Sequence, residues 1–407
     1  MNAGDPLPSP DDALRSLLDR LSPVGTERVR LRDAAGRVLA EDAATDRPSP
    51  ALSVSAMDGY AVDLGRLRAG RVGVEGEGSI GRPPVTLREG SAARIVTGAP
   101  VPHGATAVLR REDVVEGEGW IEIGVDLIAR LKEWENIRRE GENGAAGTVF
   151  ARAGREITPP VAGALAAFGV ASPVVRRRVR VAIVATGDEI VAPEERVEAW
   201  RLRDSNTFSL AAFVGGAAWL VLVSAERCTD EPAPLRGALG RALDAADAVF
   251  VSGGVSMGHR DFVPAVLESL GVERVFHRVA QRPGKPLWAG VGPGGRAVLA
   301  LPGNPVSVMV TARRFGAPAL GRLAGLDRFG GPDGVVWLEG EVERAIPLWL
   351  HRLVRLRAPG RAERVATRGS GDVVGAAASD GFVEMPPGEN GTGPWPFYAW
   401  ALGGGAA

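Results

Sequence analysis

The chain has 407 residues, too many for one ordinary core, so several domains are expected. Forty-eight basic against 49 acidic residues leave a formal charge of −1, which argues against a nucleic-acid or membrane surface as the main partner. The single cysteine, Cys228, excludes a disulfide framework and any thiolate metal cage drawn from one chain.

The opening stretch, MNAGDPLPSPDDALRSLLDR, is acidic and polar instead of a basic segment followed by an apolar core. No apolar run approaches the roughly 20 residues needed to cross a bilayer, so a cytoplasmic protein is expected. A helix is predicted at about 10–21, with Ser9 as cap, Pro10 in the first turn and Asp12 at the capping-box position. A second short helix is predicted at about 33–40. Residues 48–150 then show short alternating runs (71–75, 93–97 and 105–110) broken by Gly and Pro, the pattern of a small β-domain. Thr158-Pro159-Pro160 introduces an alanine-rich helix that should stop at Gly169.

From about 178 to 320 apolar runs alternate with helical stretches. The runs are 179–186, 217–224, 248–252 and 297–301; the helical stretches are 210–214, 235–246, 263–270 and 306–315. Such alternation predicts a doubly wound, mostly parallel sheet. Gly330–Gly334 reads as a linker, followed by strands near 335–339 and 348–356 and a disordered-looking tail at 403–407. No internal repeat is present.

Three glycine-rich loops directly follow predicted strands: Ala185–Glu189, Val251–Gly258 and Leu301–Ser307. Open parallel sheets bind ligands just beyond the carboxyl ends of their strands, where glycine allows close approach and helix N-termini favour anions. Each loop alone is better explained by an ordinary tight turn, but three on one edge predict a crevice. A P-loop is excluded because His259-Arg260, not a lysine, follows Gly258. Asp188, Glu189 and Asp261 lie in or beside these loops; they suit Mg²⁺ at a phosphate site, or alternatively helix capping and surface ion pairing. Gly254–Gly258 matches G-x-S-x-G, but the match is cheap among 55 glycines, and neither His277 nor His351 has a recognisable base setting. The four histidines are too dispersed to define a zinc site.

The chain contains 46 arginines and only two lysines, Lys132 and Lys285. Lys285 stands in Arg282-Pro283-Gly284-Lys285-Pro286, where a compact ammonium and a neighbouring guanidinium could grip an oxyanion, or simply form a salt bridge.

The ordered strings SAMDGYAV (55–62), RIVTGAPVP (94–102), NIRREGEN (136–143), VAIVATGDEI (181–190), RDSN (203–206), VSGGVSMGHRDFV (251–263), RPGKP (282–286), LPGNPVS (301–307) and RGSGDVV (368–374) together resemble the MoeA/gephyrin E-domain family, the molybdopterin molybdenumtransferases. The resemblance runs from about 10 to 390. It implies a multidomain α/β plus β fold: an elongated N-terminal part (1–47 and 146–177), an inserted β-domain (48–145), a three-layer doubly wound molybdopterin-binding α/β domain (178–326) and a C-terminal β-barrel (333–407). It further implies an L-shaped homodimer whose active site lies between the α/β domain of one subunit and the inserted domain of the other. The implied reaction turns adenylylated molybdopterin and molybdate into molybdenum cofactor, AMP and water with a divalent metal, Mg²⁺. A molybdopterin-adenylating protein would donate the substrate.

By the same resemblance, Asp58, Asp188, Glu189 and Lys285 are the catalytic candidates, and Asp58, Glu189 and Asp261 the metal ligands. Thr97, Gly98, Asn143, Asp204, Ser205, Asn206, Gly253, Gly254, Ser256, Gly258, Arg282 and Asn304 would bind substrate. Lys285, Ser307, Arg352 and Ser370 match the molybdate-holding positions. Departures include Asn143 for an aspartate, Arg282 for a lysine, Thr106 for an aspartate, Val54 for an asparagine and His259 for an acidic residue. Asn143 keeps a ligating oxygen but adds no Coulomb attraction to a cation, so weaker metal binding is expected unless Glu142 supplies the charge. The alternative is a catalytically weak paralogue acting as a dimeric binding scaffold.

Overall fold

A computed structural model of the protein describes residues 6–255, 261–340 and 344–402. The chain divides into two compact units, one made of Asp42–Arg152 and Gly163–Ala171, the other of Met1–Glu41, Ala153–Ala162 and Ser172–Ala407. The 403–407 tail lies outside the described residues.

The smaller unit is built on a six-stranded sheet. Its strands are β1 (Gly59–Val62), β2 (Gly70–Gly78), β3 (Ala92–Ile95), β4 (Ala107–Arg110), β5 (Val115–Gly117) and β6 (Trp120–Ile123), in the order β4-β1-β3-β2-β6-β5. Alternate residues enter two cores: Tyr60, Val62 and Leu109 on one face, Ala61, Val108 and Ile95 on the other. Gly59 opens β1 because a Cβ there would lie 1.8 Å from the Leu109 carbonyl oxygen.

In the larger unit the N-terminal helix, α1 (Pro10–Leu18), starts at the Ser9 cap: Ser9 Oγ accepts from the Asp12 amide at 3.2 Å and donates to Asp12 Oδ2 at 2.7 Å. Ala13 and Leu17 bury its apolar face in the main core. The helix predicted at 33–40 is a correction: only a single 3₁₀ turn, Leu31–Asp33, is helical. Gly36 at φ +70° breaks the stretch, and Val38 and Leu39 are drawn into isolated bridges with Glu156 and Val175. The alanine-rich helix spans Pro159–Ala167, with Gly169 at φ +72° beyond its end.

The α/β sheet contains β7 (Val179–Thr186), β8 (Leu220–Cys228), β9 (Ala248–Ser252), β10 (Glu273–His277), β11 (Trp288–Gly292) and β12 (Arg296–Leu301), ordered β8-β7-β9-β12-β11-β10. The first four in that order are parallel; β11 and β10 join antiparallel. Ile183, Phe250 and Leu299 face Leu210, Phe213 and Phe315, whereas Val184, Val251 and Val298 face Leu235, Leu239 and Leu267. Helices therefore cover both sides, giving three layers. From β7 the chain moves outward to β8 and then returns past β7 to β9, so the strand order reverses between β7 and β9. Loops that diverge at such a point leave a crevice.

A closed five-stranded barrel follows, from β13 (Gly334–Glu339), β14 (Trp349–Ala358), β15 (Arg361–Arg364), β16 (Gly381–Met385) and β17 (Trp395–Ala399), joined β14-β15-β13-β17-β16-β14. A π turn at Ala312–Gly316, inside the helical stretch Pro305–Ala324, turns two successive arginines inward. Arg313 donates to the carbonyls of Ala399, Gly330 and Gly331 and pairs with Asp333 at 2.8 Å. Arg314 pairs with Glu384 at 2.6 Å and reaches Asp11, while His351 Nε2 lies 3.0 Å from Glu384.

Burial would push the Glu384 carboxyl up, but the hydrogen bonds of His351 and Arg314 hold it down at about 2. Its folded pKa thus lies below the ordinary value of about 4.3, so its stabilisation is present above that pH and is lost as pH falls toward about 2. Glu384→Gln should cost about 3 kcal/mol at neutral pH by leaving buried Arg314 with only the exposed Asp11 as an ion partner among the described residues, and should flatten this acid limb. Denaturant unfolding across pH 2–7 checks both. Among the described residues no helix is long and apolar enough to cross a membrane.

Candidate active-site cleft

A cleft of about 1160 Å³ opens at the carboxyl edge of the α/β sheet and is closed on one side by the barrel. It follows the order of the strands. The loop after β8 contributes Asp230, that after β7 Glu189, that after β9 Gly253 and Gly254, and that after β12 Asn304 and Ser307. Beyond β12 the wall passes to Arg282 and Lys285 and then to barrel residues Arg352, Arg368 and Ser370. Glu189 and Asp230 therefore lie toward β7 and β8, where Arg203 also lines the wall, and the other cations gather toward the barrel.

Glycine is required where the backbones meet. Gly253 has φ +98°, and a Cβ there would lie 2.5 Å from the Thr186 carbonyl oxygen; Gly254 has φ +66° and abuts Val263. Asn206 holds three loops together at this point. Its Nδ2 donates to Ser252 Oγ at 2.8 Å and to the Gly303 carbonyl at 2.7 Å, and Asp204 accepts from the Thr207 amide at 3.0 Å to cap the same helix start. Asp204 is buried and Ser205 lines the cleft beside it.

Asp188 is not a cleft-lining residue. Its carboxylate accepts from the Asp230 amide at 3.2 Å, and Asp230 in turn accepts from the Thr186 hydroxyl, so Asp188 helps to lace the β7 and β8 loops together. Asp230 was missed by the sequence reading. It lies just past β8, but Cys228-Thr229-Asp230-Glu231-Pro232 reads locally as an ordinary helix entry. Asp261 is half-buried ahead of the helix Val263–Ser269 and does not line the cleft. Ser256 and Gly258, and with them most of the G-x-S-x-G string, lie outside the described residues.

The cationic wall is crowded. Burial, then the nearby positive charges of Arg282 and Arg364, pull the Arg352 guanidinium below the ordinary arginine value. An anion placed here would relieve that repulsion. Asn304 Nδ2 donates to Ser370 Oγ at 2.9 Å and the Val306 amide to the Ser370 carbonyl at 3.0 Å, which docks the barrel loop on the β12 loop. Ser307 is buried in the same wall.

Asp58, Thr97, Gly98 and Asn143 belong to the smaller unit. Asp58 Oδ1 accepts from the Thr97 amide at 2.7 Å and from its hydroxyl at 2.8 Å, bonds that hold this exposed carboxylate below its ordinary pKa. Gly98 follows at φ +83°. Asn143 Oδ1 accepts from Arg138, and its Nδ2 donates to Ser49 Oγ at 3.1 Å. Glu142 accepts from the Arg139 amide at 3.0 Å and lies 3.6 Å from Arg138. Among the described residues, no group of three or more His, Cys, Asp or Glu is placed to hold a metal.

Residues 8–169 match the family model for the MoeA N-terminal region (domains I and II), and residues 182–322 that for a probable molybdopterin binding domain. A molybdopterin molybdenumtransferase of Haemophilus influenzae is 35% identical over 77% of this chain and 77% of its own length. Another, from Nostoc sp., is 33% identical over 94% of this chain and 91% of its own. A molybdopterin biosynthesis MoeA protein from Pyrococcus horikosii superposes with a TM-score of 0.80 at 27% identity, covering 97% of this chain and 99% of that one. The chain belongs to the molybdopterin molybdenumtransferase (MoeA) family of molybdenum cofactor biosynthesis.

Proposed function

We propose that this protein inserts molybdate into adenylylated molybdopterin, releasing AMP in a reaction that needs a divalent metal. The observation that carries the reading is the polarity of the cleft, with carboxylates Glu189 and Asp230 at one end beside the cation Arg203, glycine loops between, and Arg282, Lys285 and Arg352 gathered toward the barrel. A pterin diphosphate suits the glycine-loop amides, and a tetrahedral oxyanion suits the cationic wall with Ser307 and Ser370 as neutral donors. The chain's contribution to phosphoanhydride cleavage is then positioning and charge stabilisation.

The donor set fits Mg²⁺, a hard cation that takes one or two carboxylates and completes its shell with phosphate oxygens and water. Glu189, which lines the cleft, would hold it, with Asp58 brought by the inserted domain of a second subunit; Asp261, outside the lining, is left out of this set. When bound it would shield phosphate charge. The Asp58 carboxylate, kept ionised by Thr97, suits that task or the orienting of a water molecule. Asn143 is different: Arg138 already occupies its oxygen. An aspartate there would pair with Arg138, so Asn143→Asp should change the half-saturating Mg²⁺ concentration by less than about threefold. A larger drop would make this loop part of the metal site.

The test is incubation with adenylylated molybdopterin, molybdate and Mg²⁺, with AMP quantified. Release that depends on both molybdate and metal is expected. A tight dimer that releases no AMP even at high molybdate would favour the scaffold reading instead.

A further inference from the structure

Gln281 is the only glutamine in the chain, and it is completely buried in the wall of the cleft. It sits in the loop that presents Lys285. That loop is pinched at its base, where the Val279 amide donates to the Lys285 carbonyl at 3.0 Å. One edge is fixed to the barrel: Gln281 and Arg282 pair in parallel register with Trp349 and Leu350, and the Trp349 amide donates to the Ala280 carbonyl at 2.9 Å. Inside the loop, Gln281 Nε2 donates to the Gly284 carbonyl at 3.2 Å, the peptide that leads into Lys285.

The fit is close. Gly284 has φ +88°, and a Cβ on it would lie 2.7 Å from Gln281 Nε2 and 2.6 Å from Thr311 Cγ2. Gln281 Oε1 is buried with no hydrogen-bond partner among the described residues. A buried, unpaired carbonyl is unfavourable, so for stability alone an apolar side chain of similar size would do as well. The amide is useful for its donor.

We infer that Gln281 is a positioning residue: its amide fixes the turn that aims the Lys285 ammonium into the cleft and holds it in register with the barrel strand that carries Arg352. The inference rests on the reading of Lys285 as an oxyanion ligand. Gln281→Met keeps the volume and removes both the donor and the unpaired oxygen. The full-length variant should unfold within a few degrees of wild type, yet need roughly tenfold more molybdate for half-maximal AMP release, with the saturating rate within about threefold. Gln281→Leu, which likewise has no donor, should show the same rise and serves if the methionine variant fails to fold.

Lys285→Ala separates the two readings. In that background Gln281→Met should add nothing, because the residue acts through Lys285. If Lys285→Ala raises the molybdate requirement while both Gln281 variants leave it unchanged, the role given to Gln281 is wrong. An undiminished Gln281→Met effect on top of Lys285→Ala overturns it equally. If Lys285→Ala itself leaves the molybdate requirement unchanged, the oxyanion reading of Lys285 has failed.

Discussion

Mixing Asp58→Ala protein with Lys285→Ala protein should restore about a quarter of wild-type AMP release, after each variant alone has lost roughly 100-fold or more. The expectation follows from placement. Lys285 lines the cleft of the larger unit, whereas Asp58 belongs to the smaller unit, exposed and ionised by its two bonds from Thr97. If the site is shared between subunits, random re-pairing makes about half of the dimers mixed, each with one site intact and one doubly defective. A quarter of all sites then work. Subunit exchange should be verified independently, for example by mixing differently tagged proteins. Exchange without recovery would mean that Asp58 and Lys285 serve the same site within one chain, or that Asp58 serves none.

Lys285→Arg should lower AMP release at limiting molybdate about tenfold although it preserves charge. Lys285 is half-buried in a turn backed by Gln281 and Thr311, with Arg282 and Arg352 already in the same wall. A compact ammonium can meet one face of a tetrahedral oxyanion there. The planar guanidinium is wider and brings five fixed donors into a wall where burial, and then the neighbouring arginines, already depress the Arg352 pKa. Among the described residues no ion pair involves Lys285, so its persistence among 46 arginines is not explained by a salt bridge. Activity near wild type at limiting molybdate would show that the lysine survived by chance.

Much of the fold and part of the site were legible without coordinates. The Ser9 cap of α1, the apolar runs of β7, β9 and β12, and the glycine loops beyond them are local signals. Each is set by dihedral freedom, capping or alternation over a few residues, and the structure keeps them. The ordered motifs likewise identified the family before any geometry was available.

Tertiary structure decided the rest, because the deciding contacts join residues far apart in the chain. A helix at 33–40 loses to bridges with Glu156 and Val175, which local propensity cannot foresee. The antiparallel β10–β11 pair completes a sheet that the parallel pattern alone left short. The π turn makes sense only once Asp11, Asp333 and Glu384 are there to receive Arg313 and Arg314. In the cleft, Asp188 reads in sequence as a site carboxylate but is drawn toward the Asp230 amide, while Asp230, with no motif of its own, lines the wall. Sequence determined which groups are present; long-range packing determined which of them face the cleft, since a side chain's direction is set by whatever closes over it.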